Sequence, residues 1–345
     1  MYKNDECSKL KMTKLNSNDN QILNVSKIDK RLKLNDYTIL GTHNSYHLEN
    51  YFYKYSHKSL TKQLLFGIRQ IELDIHLMKN NNLIYHLQIF DDKTNCYCFK
   101  HCLMKIKEFT SKYKYHYPIY LFIEIKQMFY EDIFTGLTGG VKCQHFQQIK
   151  KEILEIFSYQ TLILPKQIQG NQKSIKIALK KQKQKQIQGD FIYRNYGWPP
   201  ISTSLGKLIP VFLDDVHNIV VDLYYQCSSI RNFFFISQKN QNLPYSSIIT
   251  ISNSIKDKQI LIDSHQNGFL IRLLLAYGNK NIFQTYQLTK HYGIHIISSD
   301  SIQCSRTLLC QSLAKDFKHS TILCNKYSSP HFCNSSISFF QKKIK

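Results

Sequence analysis

The sequence predicts an α/β fold, a single closed TIM-type (β/α)8 barrel that need not be regular. Three observations predict it. Short apolar runs recur along the chain and end in ionisable residues. Several of these runs are separated by segments whose apolar residues repeat at helical spacing. A length of 345 residues accommodates one such barrel and leaves no room for a second sizeable domain.

The elements follow in order. Residues 1–35 are polar, lack the apolar stretch of a leader peptide, and are expected to form a flexible arm. The barrel is expected over 36–333. Its first strand, Tyr37–Leu40, leads into Gly41-Thr42-His43-Asn44-Ser45, where Gly41 is expected to relieve the turn out of the strand. The second, Ile68–Ile75, carries Glu72 and Asp74, which share a face because side chains alternate along a strand. A third run, Leu83–Ile89, carries His86. Cys102, Leu103, Ile106 and Phe109 predict a helix over Phe99–Lys112. Strand four, Ile119–Ile125, carries Glu124 and is followed by Lys126; a helix over Gln144–Phe157 comes next.

Residues 165–190 include the low-complexity stretch KKQKQKQIQG and read as an exposed excursion between barrel elements. Leu208–Leu213, Phe233–Ile236, Phe269–Leu275 and Ile294–Ser298 complete the set of strands. Ile282, Phe283 and Tyr286 mark a helix between the last two, with Gly293 as its stop. Residues 334–345 form a tail.

Lys and Arg outnumber Asp and Glu by 46 to 24, a formal charge of +22. Such a balance favours an anionic partner, nucleic acid or an acidic membrane surface, or else is a solvated compositional bias. No nucleic-acid-binding motif is recognisable, so no nucleic acid partner is expected. No apolar run is long enough for a transmembrane helix, so membrane contact is expected to be peripheral. The ten cysteines are even in number, compatible with disulfides in an oxidising compartment. Cys96, Cys98 and Cys102 with His101 nearby offer a rival zinc site, although paired C-x2-C knuckles are missing. Localisation stays open on these grounds.

Enzymes built on closed parallel barrels place their chemistry at the C-terminal rim of the strands. Glu72, Asp74, Glu124 and Asn44 all fall at or near such strand ends. Two carboxylates about 5 Å apart repel by roughly 3 kcal/mol at an effective dielectric near 20. A cation is needed among them, and an all-oxygen set suits a hard ion, Ca²⁺ best.

The segments GTHNSYH, GIRQIELDIH, YHLQIFDDKTNC and LFIEIK resemble the catalytic segments of phosphoinositide-specific phospholipase C, in its calcium-dependent single-domain branch. Order and spacing agree, with 28 residues from Asn44 to Glu72 and 12 from Asp74 to His86. The likeness spans about Asp36 to Cys333 and is strong in the first 90 residues. Trp198-Pro199, Gly206-Lys207, Arg272 and Ser298-Ser299-Asp300 match the later segments more loosely. Relatives of this branch are often secreted and bear a cysteine-containing tail resembling Cys324 to Cys333.

The resemblance implies that an inositol hydroxyl of a phosphatidylinositol-type lipid attacks its own phosphodiester, giving diacylglycerol and a cyclic inositol phosphate. It implies His86 as general acid and His43 as the group that stabilises charge at phosphorus. It implies Ca²⁺ held by Asn44, Glu72, Asp74 and Glu124, with Glu72 or Glu124 taking the hydroxyl proton. Lys126, with Lys207 and Arg272 behind it, would bind substrate phosphate. Arg69 reads as structural, and as the substitute cation if no metal is used. Trp198 would stack on inositol, dip into lipid or sit in the core, while His47, His57, His76 and His101 would be surface or supporting groups. The protein would act as a monomer on phosphoinositide in an anionic membrane surface.

Two departures touch head-group selectivity. Leu273, Leu274 and Leu275 follow Arg272 where the family continues with a second Arg and an acid. Leu205 precedes Gly206 where relatives often carry Arg. Competing readings are a same-fold phosphodiesterase for glycerophosphodiesters or sphingomyelin-type lipids, and a non-catalytic basic membrane-binding barrel. His43-Asn44-Ser45 counts against the first, since those enzymes begin with a His-Arg-Gly type motif, and the intact acid–base set counts against the second.

Overall fold

The computed structural model describes residues 7, 29–78, 81–87, 90–126, 140–214, 219–252, 257–278, 281–302, 307–317 and 322–333. Its strands are β1 (Tyr37–Thr42), β2 (Gln70–His76), β3 (Leu83–Ile84), β4 (Ile119–Ile125) and β5 (Leu208–Leu213). They continue as β6 (Phe235–Ser237), β7 (Ile248–Ile251), β8 (Leu270–Leu275), β9 (Ile296–Ser299) and β10 (Ile322–Cys324). Eight of them, in the order β1-β2-β4-β5-β6-β7-β8-β9, pair in parallel, and β9 returns to β1 to close the barrel.

Closure explains Gly41. It faces Gln70 across the β1–β2 pairing, and a Cβ there would meet the Gln70 amide oxygen at 2.1 Å. Gly41 is thus needed for close approach of two strands. The turn beyond β1 is made instead by Asn44, whose φ of 43° lies in the left-handed region that Asn tolerates better than most residues.

The barrel strands are buried nearly throughout, β2 at all of its positions, because side chains fill the interior and helices cover the outside. The covering helices include α1 (Leu60–Phe66), α2 (Phe99–Lys112) and α3 (Cys143–Ile156). In α2 the predicted stripe of Cys102, Leu103, Ile106 and Phe109 is the buried face.

One member of the barrel differs from expectation. The third apolar run supplies only β3, which pairs antiparallel with the end of β2, Ile75 opposite Ile84. Parallel neighbours need a crossover of about a dozen residues, and the link from His76 to Leu83 is too short for one. The place is filled by β7, a four-residue strand between β6 and β8.

The lysine-rich segment is not an exposed excursion but two helices, α4 (Pro165–Gln169) and α5 (Ile175–Ile187). Ser174 caps α5 by accepting from the Ile177 amide at 3.2 Å, and Ile175, Ala178 and Leu179 are buried. Gln186 donates to Asp36, just ahead of β1, at 3.1 Å, which ties the end of α5 to the N-terminal side of the barrel. Trp198 belongs to the core: it is fully buried and its Nε1 donates to the Gly268 carbonyl at 2.9 Å.

The cysteines are disulfides and not zinc ligands. Cys7–Cys98, Cys96–Cys102, Cys143–Cys227 and Cys324–Cys333 are bonded, Cys310 is disulfide-bonded as well, and no free cysteine occurs among the described residues. Of the expected arm, Cys7 is tied to Cys98 and Lys33 to Asn35 are buried; the rest of it before Asp29, and the 334–345 tail, lie outside the described residues.

Candidate active site

The site is built where β1, β2, β4 and β9 end. The turn after β1 is pinned from several sides. The Ser45 hydroxyl accepts from the Glu72 amide at 2.8 Å, and the Ser45 amide donates to the Glu72 carbonyl at 3.0 Å. Gln63 donates to the Ser45 carbonyl at 2.6 Å. These bonds fix His43 and Asn44 over the C-terminal half of β2.

Glu72 and Asp74 are fully buried on the inward face of β2, and Asp74 lies in register with Glu124 of β4. Glu72, Asp74 and Glu124 each offer a carboxylate oxygen within 4.8 Å of the others. Lone carboxylates at that depth are costly, and the fold supplies counter-charge. Arg272, equally buried on β8, pairs with Glu72 and donates to the Ser298 hydroxyl at 2.9 Å. Lys126 sits between Asp74 at 3.2 Å and Glu124 at 2.8 Å. Burial opposes the Lys126 charge, but Asp74 and Glu124 outweigh it and raise its pKa. Tyr46 donates to Asp74 Oδ2 at 2.8 Å.

Three oxygens stay without a hydrogen bond despite this, Glu72 Oε1 having only His43 Nε2 at 3.5 Å. Asn44 Oδ1, Glu72 Oε1 and Asp74 Oδ1 are buried with no hydrogen-bond partner. Unmet acceptors on carboxylates this close together are what a hard cation requires of its ligands. The residues therefore fit the calcium set expected from the sequence.

His43 bridges two acids. Its Nδ1 lies 2.9 Å from Asp300 Oδ1 and its Nε2 3.5 Å from Glu72 Oε1. Burial disfavours its charged form, but Asp300 and then Glu72 overcome that and push its pKa up to about 9. Asp300 is buried too, and His43 holds its carboxyl below the usual range against that burial. His57 donates to the His43 carbonyl at 2.9 Å; burial brings its own pKa down to about 4.

His86 follows β3 and is fixed by Asp91. His86 Nδ1 lies 2.7 Å from Asp91 Oδ2, and His47 Nε2 lies 2.8 Å from Asp91 Oδ1. His47 stacks on Tyr55 with ring centroids 4.2 Å apart, and Asn44 reaches the Tyr55 hydroxyl at 3.4 Å. A continuous chain of contacts thus runs from Asn44 to His86.

His43, Asn44, Glu72, Asp74, Glu124, Lys126 and Arg272 come together at this rim, with His86 joined through Asp91. Lys207 does not. It precedes β5, and its carbonyl accepts from Ile119 at the start of β4, which places it at the opposite end of the barrel. Arg69 also lies at that far end, where its guanidinium donates to the Leu64 and Ile68 carbonyls. It is the structural residue expected, and the cations beside the acids are Arg272 and Lys126.

The sequence pointed to no role for Asp300, Asp91 or Tyr46; of the two expectations for His47, His57 and His76, surface or supporting, burial excludes the first, and His47 and His57 support Asp91 and His43. Only Asp300 carried a signal, an acid immediately beyond the last barrel strand.

Acids gathered for a hard cation beside a clamped imidazole, at the C-terminal rim of a closed parallel barrel, are the equipment of a metal-assisted phosphodiesterase. The sequence narrows that class: residues 76–312, well over half of the chain, match the family described as phosphoinositide phospholipase C, Ca²⁺-dependent, and the chain belongs to it. It is a phospholipase C-like enzyme of a calcium-dependent family. His43, Asn44, Glu72 and Asp74 precede the matched span.

The fold is shared with a calcium-dependent phosphoinositol-specific phospholipase C from Pseudomonas sp., at 16% identity, covering 86% of this chain and 97% of that one with a TM-score of 0.58. It is shared also with the Ca²⁺-dependent phosphatidylinositol-specific phospholipase C of Streptomyces antibioticus, at 15% identity, 78% and 94% coverage and a TM-score of 0.54. No curated protein matches the sequence closely enough to count as a relative.

Proposed function

We propose that the enzyme cleaves phosphatidylinositol-type lipids by intramolecular attack. An inositol hydroxyl loses its proton and forms a new bond to phosphorus. The glycerol oxygen leaves with its bonding pair and takes a proton from His86 Nε2, giving diacylglycerol and a cyclic inositol phosphate. The observation that carries this reading is the approach of carboxylate oxygens of Glu72, Asp74 and Glu124 to within 4.8 Å of one another, beside His43.

Asn44, Glu72, Asp74 and Glu124 would hold Ca²⁺. When bound, the ion stabilises charge on the phosphoryl group and makes the attacking hydroxyl more acidic. Glu124, whose side chain is 20% exposed against none for Glu72, is the better placed of the two candidates to receive that proton. His43, fixed by Asp300, presents Nε2 to the phosphoryl oxygens. Lys126, partly exposed, serves the phosphate side of the substrate. Arg272 is wholly buried, so its part is to neutralise Glu72.

A monomer acting peripherally on an anionic lipid surface is part of the proposal; no described helix is long and apolar enough to cross a membrane. The test is purified protein on phosphatidylinositol vesicles, with Ca²⁺ and with chelator, following cyclic inositol phosphate by phosphorus NMR. Calcium-dependent appearance of that product is expected. Release of a non-cyclic head group only, or no cleavage at all, would count against the proposal.

A further inference from the structure

We propose that Asp91 is the positioning residue for the proton donor His86, and that His47 and Asn50 hold Asp91 for that task. The proposal rests on the reading of His86 as general acid and names the residue on which that role depends.

Asp91 is 1% exposed, and every polar contact of its side chain is a donor. His86 Nδ1 lies 2.7 Å from Oδ2, His47 Nε2 lies 2.8 Å from Oδ1 and 3.1 Å from Oδ2, and the Asn50 amide donates to Oδ1. The backbone of Asp91 holds the same segment: its carbonyl accepts from the His86 amide at 3.2 Å and the Leu87 amide at 2.9 Å, and its amide donates to the Leu87 carbonyl at 2.8 Å. One residue therefore fixes both the main chain and the ring of His86.

The hydrogen-bond arithmetic sets the direction of each proton. His47 Nδ1 lies 3.1 Å from the Tyr55 carbonyl, which can only accept, so that nitrogen donates. His47 Nε2 faces the Asp91 carboxylate at 2.8 Å, so both ring nitrogens of His47 are committed to groups inside the protein. His86 differs. Its Nδ1 is committed to Asp91, its Nε2 has no hydrogen-bond partner among the described residues, and its side chain is 19% exposed. Of the two imidazoles on Asp91, only His86 is free to exchange a proton with a substrate. Burial alone would raise the Asp91 pKa, but its bonds to His47 and His86 bring it below the usual value.

The arrangement also joins the two halves of the site. His47 stacks on Tyr55, and Tyr55 meets Asn44. The donor side and the ion side are thereby held at one spacing by a single buried chain of contacts.

A purely structural Asp91 and a positioning Asp91 differ in one measurable respect. Expelling a glycerol alkoxide requires a proton; expelling p-nitrophenolate does not. Asp91→Asn should lower kcat on phosphatidylinositol by roughly 10²-fold with little change in KM, yet lower cleavage of inositol p-nitrophenyl phosphate by less than about tenfold. His86→Ala should show the same leaving-group pattern, and the double variant should lose little more than either alone. Equal loss on both substrates, additive losses, or wild-type lipid turnover in Asp91→Asn would each overturn the proposal.

Should Asp91→Asn not fold, Asn50→Ala, which removes one donor from Asp91, should give a smaller loss of the same leaving-group dependence, and a uniform loss on both substrates would again overturn it. Wild-type protein inert on both substrates would overturn the functional reading itself. The positioning geometry is then still decided by proton–nitrogen NMR: a slowly exchanging Nδ1 proton on His86 is expected in the wild type and lost in Asp91→Asn. Its absence from the wild type would defeat the assignment.

Discussion

His43 Nδ1 lies 2.9 Å from the carboxylate of Asp300, so residues 257 apart in the chain meet across the barrel rim. With Nδ1 engaged, Nε2 is the nitrogen left to face Glu72 and the substrate.

Replacing that carboxylate releases the ring. Asp300→Asn is expected to lower kcat by about 10²-fold or more while KM for the lipid changes little. Steady-state kinetics on phosphatidylinositol check it, and an unaltered kcat would dissociate Asp300 from turnover.

His86→Ala should keep the fold and lipid-vesicle binding but lose about 10² to 10⁴ in turnover. Hydrolysis at the wild-type rate in a folded variant would remove the acid assignment.

Ion binding is open to a test that needs no turnover. Calcium at about 100 times its dissociation constant should add about 2.7 kcal/mol to stability, read as a rise in Tm. Asp74→Asn and Glu72→Gln should abolish the rise, since each removes an anionic ligand. A wild-type Tm indifferent to Ca²⁺ would sink the ion site.

Acid should destabilise the fold through histidines buried neutral and remote from the ion site. Burial brings His116 to about 3 and His265 to about 4, and holds His295 well below its ordinary value. Their folded pKa values lie below the unfolded 6.5, so the unfolded chain binds more protons as pH falls. Stability is then fully present above about pH 6.5 and is lost as pH drops through the interval down to the folded values; His265 alone contributes on the order of 3 kcal/mol of that loss. Urea midpoints at pH 7.5 and pH 5 measure it, and equal midpoints would contradict it.

The Cys143–Cys227 bond joins residues 84 apart, linking the start of α3 to the residue before helix Ser228–Phe233. Chain-entropy arguments give roughly 4.5 kcal/mol for a loop of that size. Cys143→Ser should lower unfolding stability by about 2–5 kcal/mol in denaturant titration, and an unshifted midpoint would refute the estimate.

Much of this molecule was legible locally. The stripe of Cys102, Leu103, Ile106 and Phe109 predicts a helix that forms over the same residues, Phe99–Lys112. The alternation that places Glu72 and Asp74 on one face needs nothing beyond the strand period. The run at Leu83 misled because apolar content alone does not say whether a strand runs parallel or turns back; link length decided that. The short β7 escaped because its β-branched run, IITI, is only four residues long and is flanked by serines. In the lysine-rich stretch, Ile175, Ala178 and Leu179 were outweighed by charge, although they are the residues that seat the helix.

The sequence by itself determined the kind of barrel, the acids and imidazoles that could serve it, and the family, because each is written in local spacing and side-chain type. Only the tertiary structure decided which of them meet. It set Asp300 against His43, Arg272 against Glu72 and Asp91 between two histidines, and it carried Lys207 and Arg69 to the far end. Those pairings depend on which strands become neighbours when the sheet closes and at which end each residue then emerges, and neither is encoded in the residues flanking any one of them.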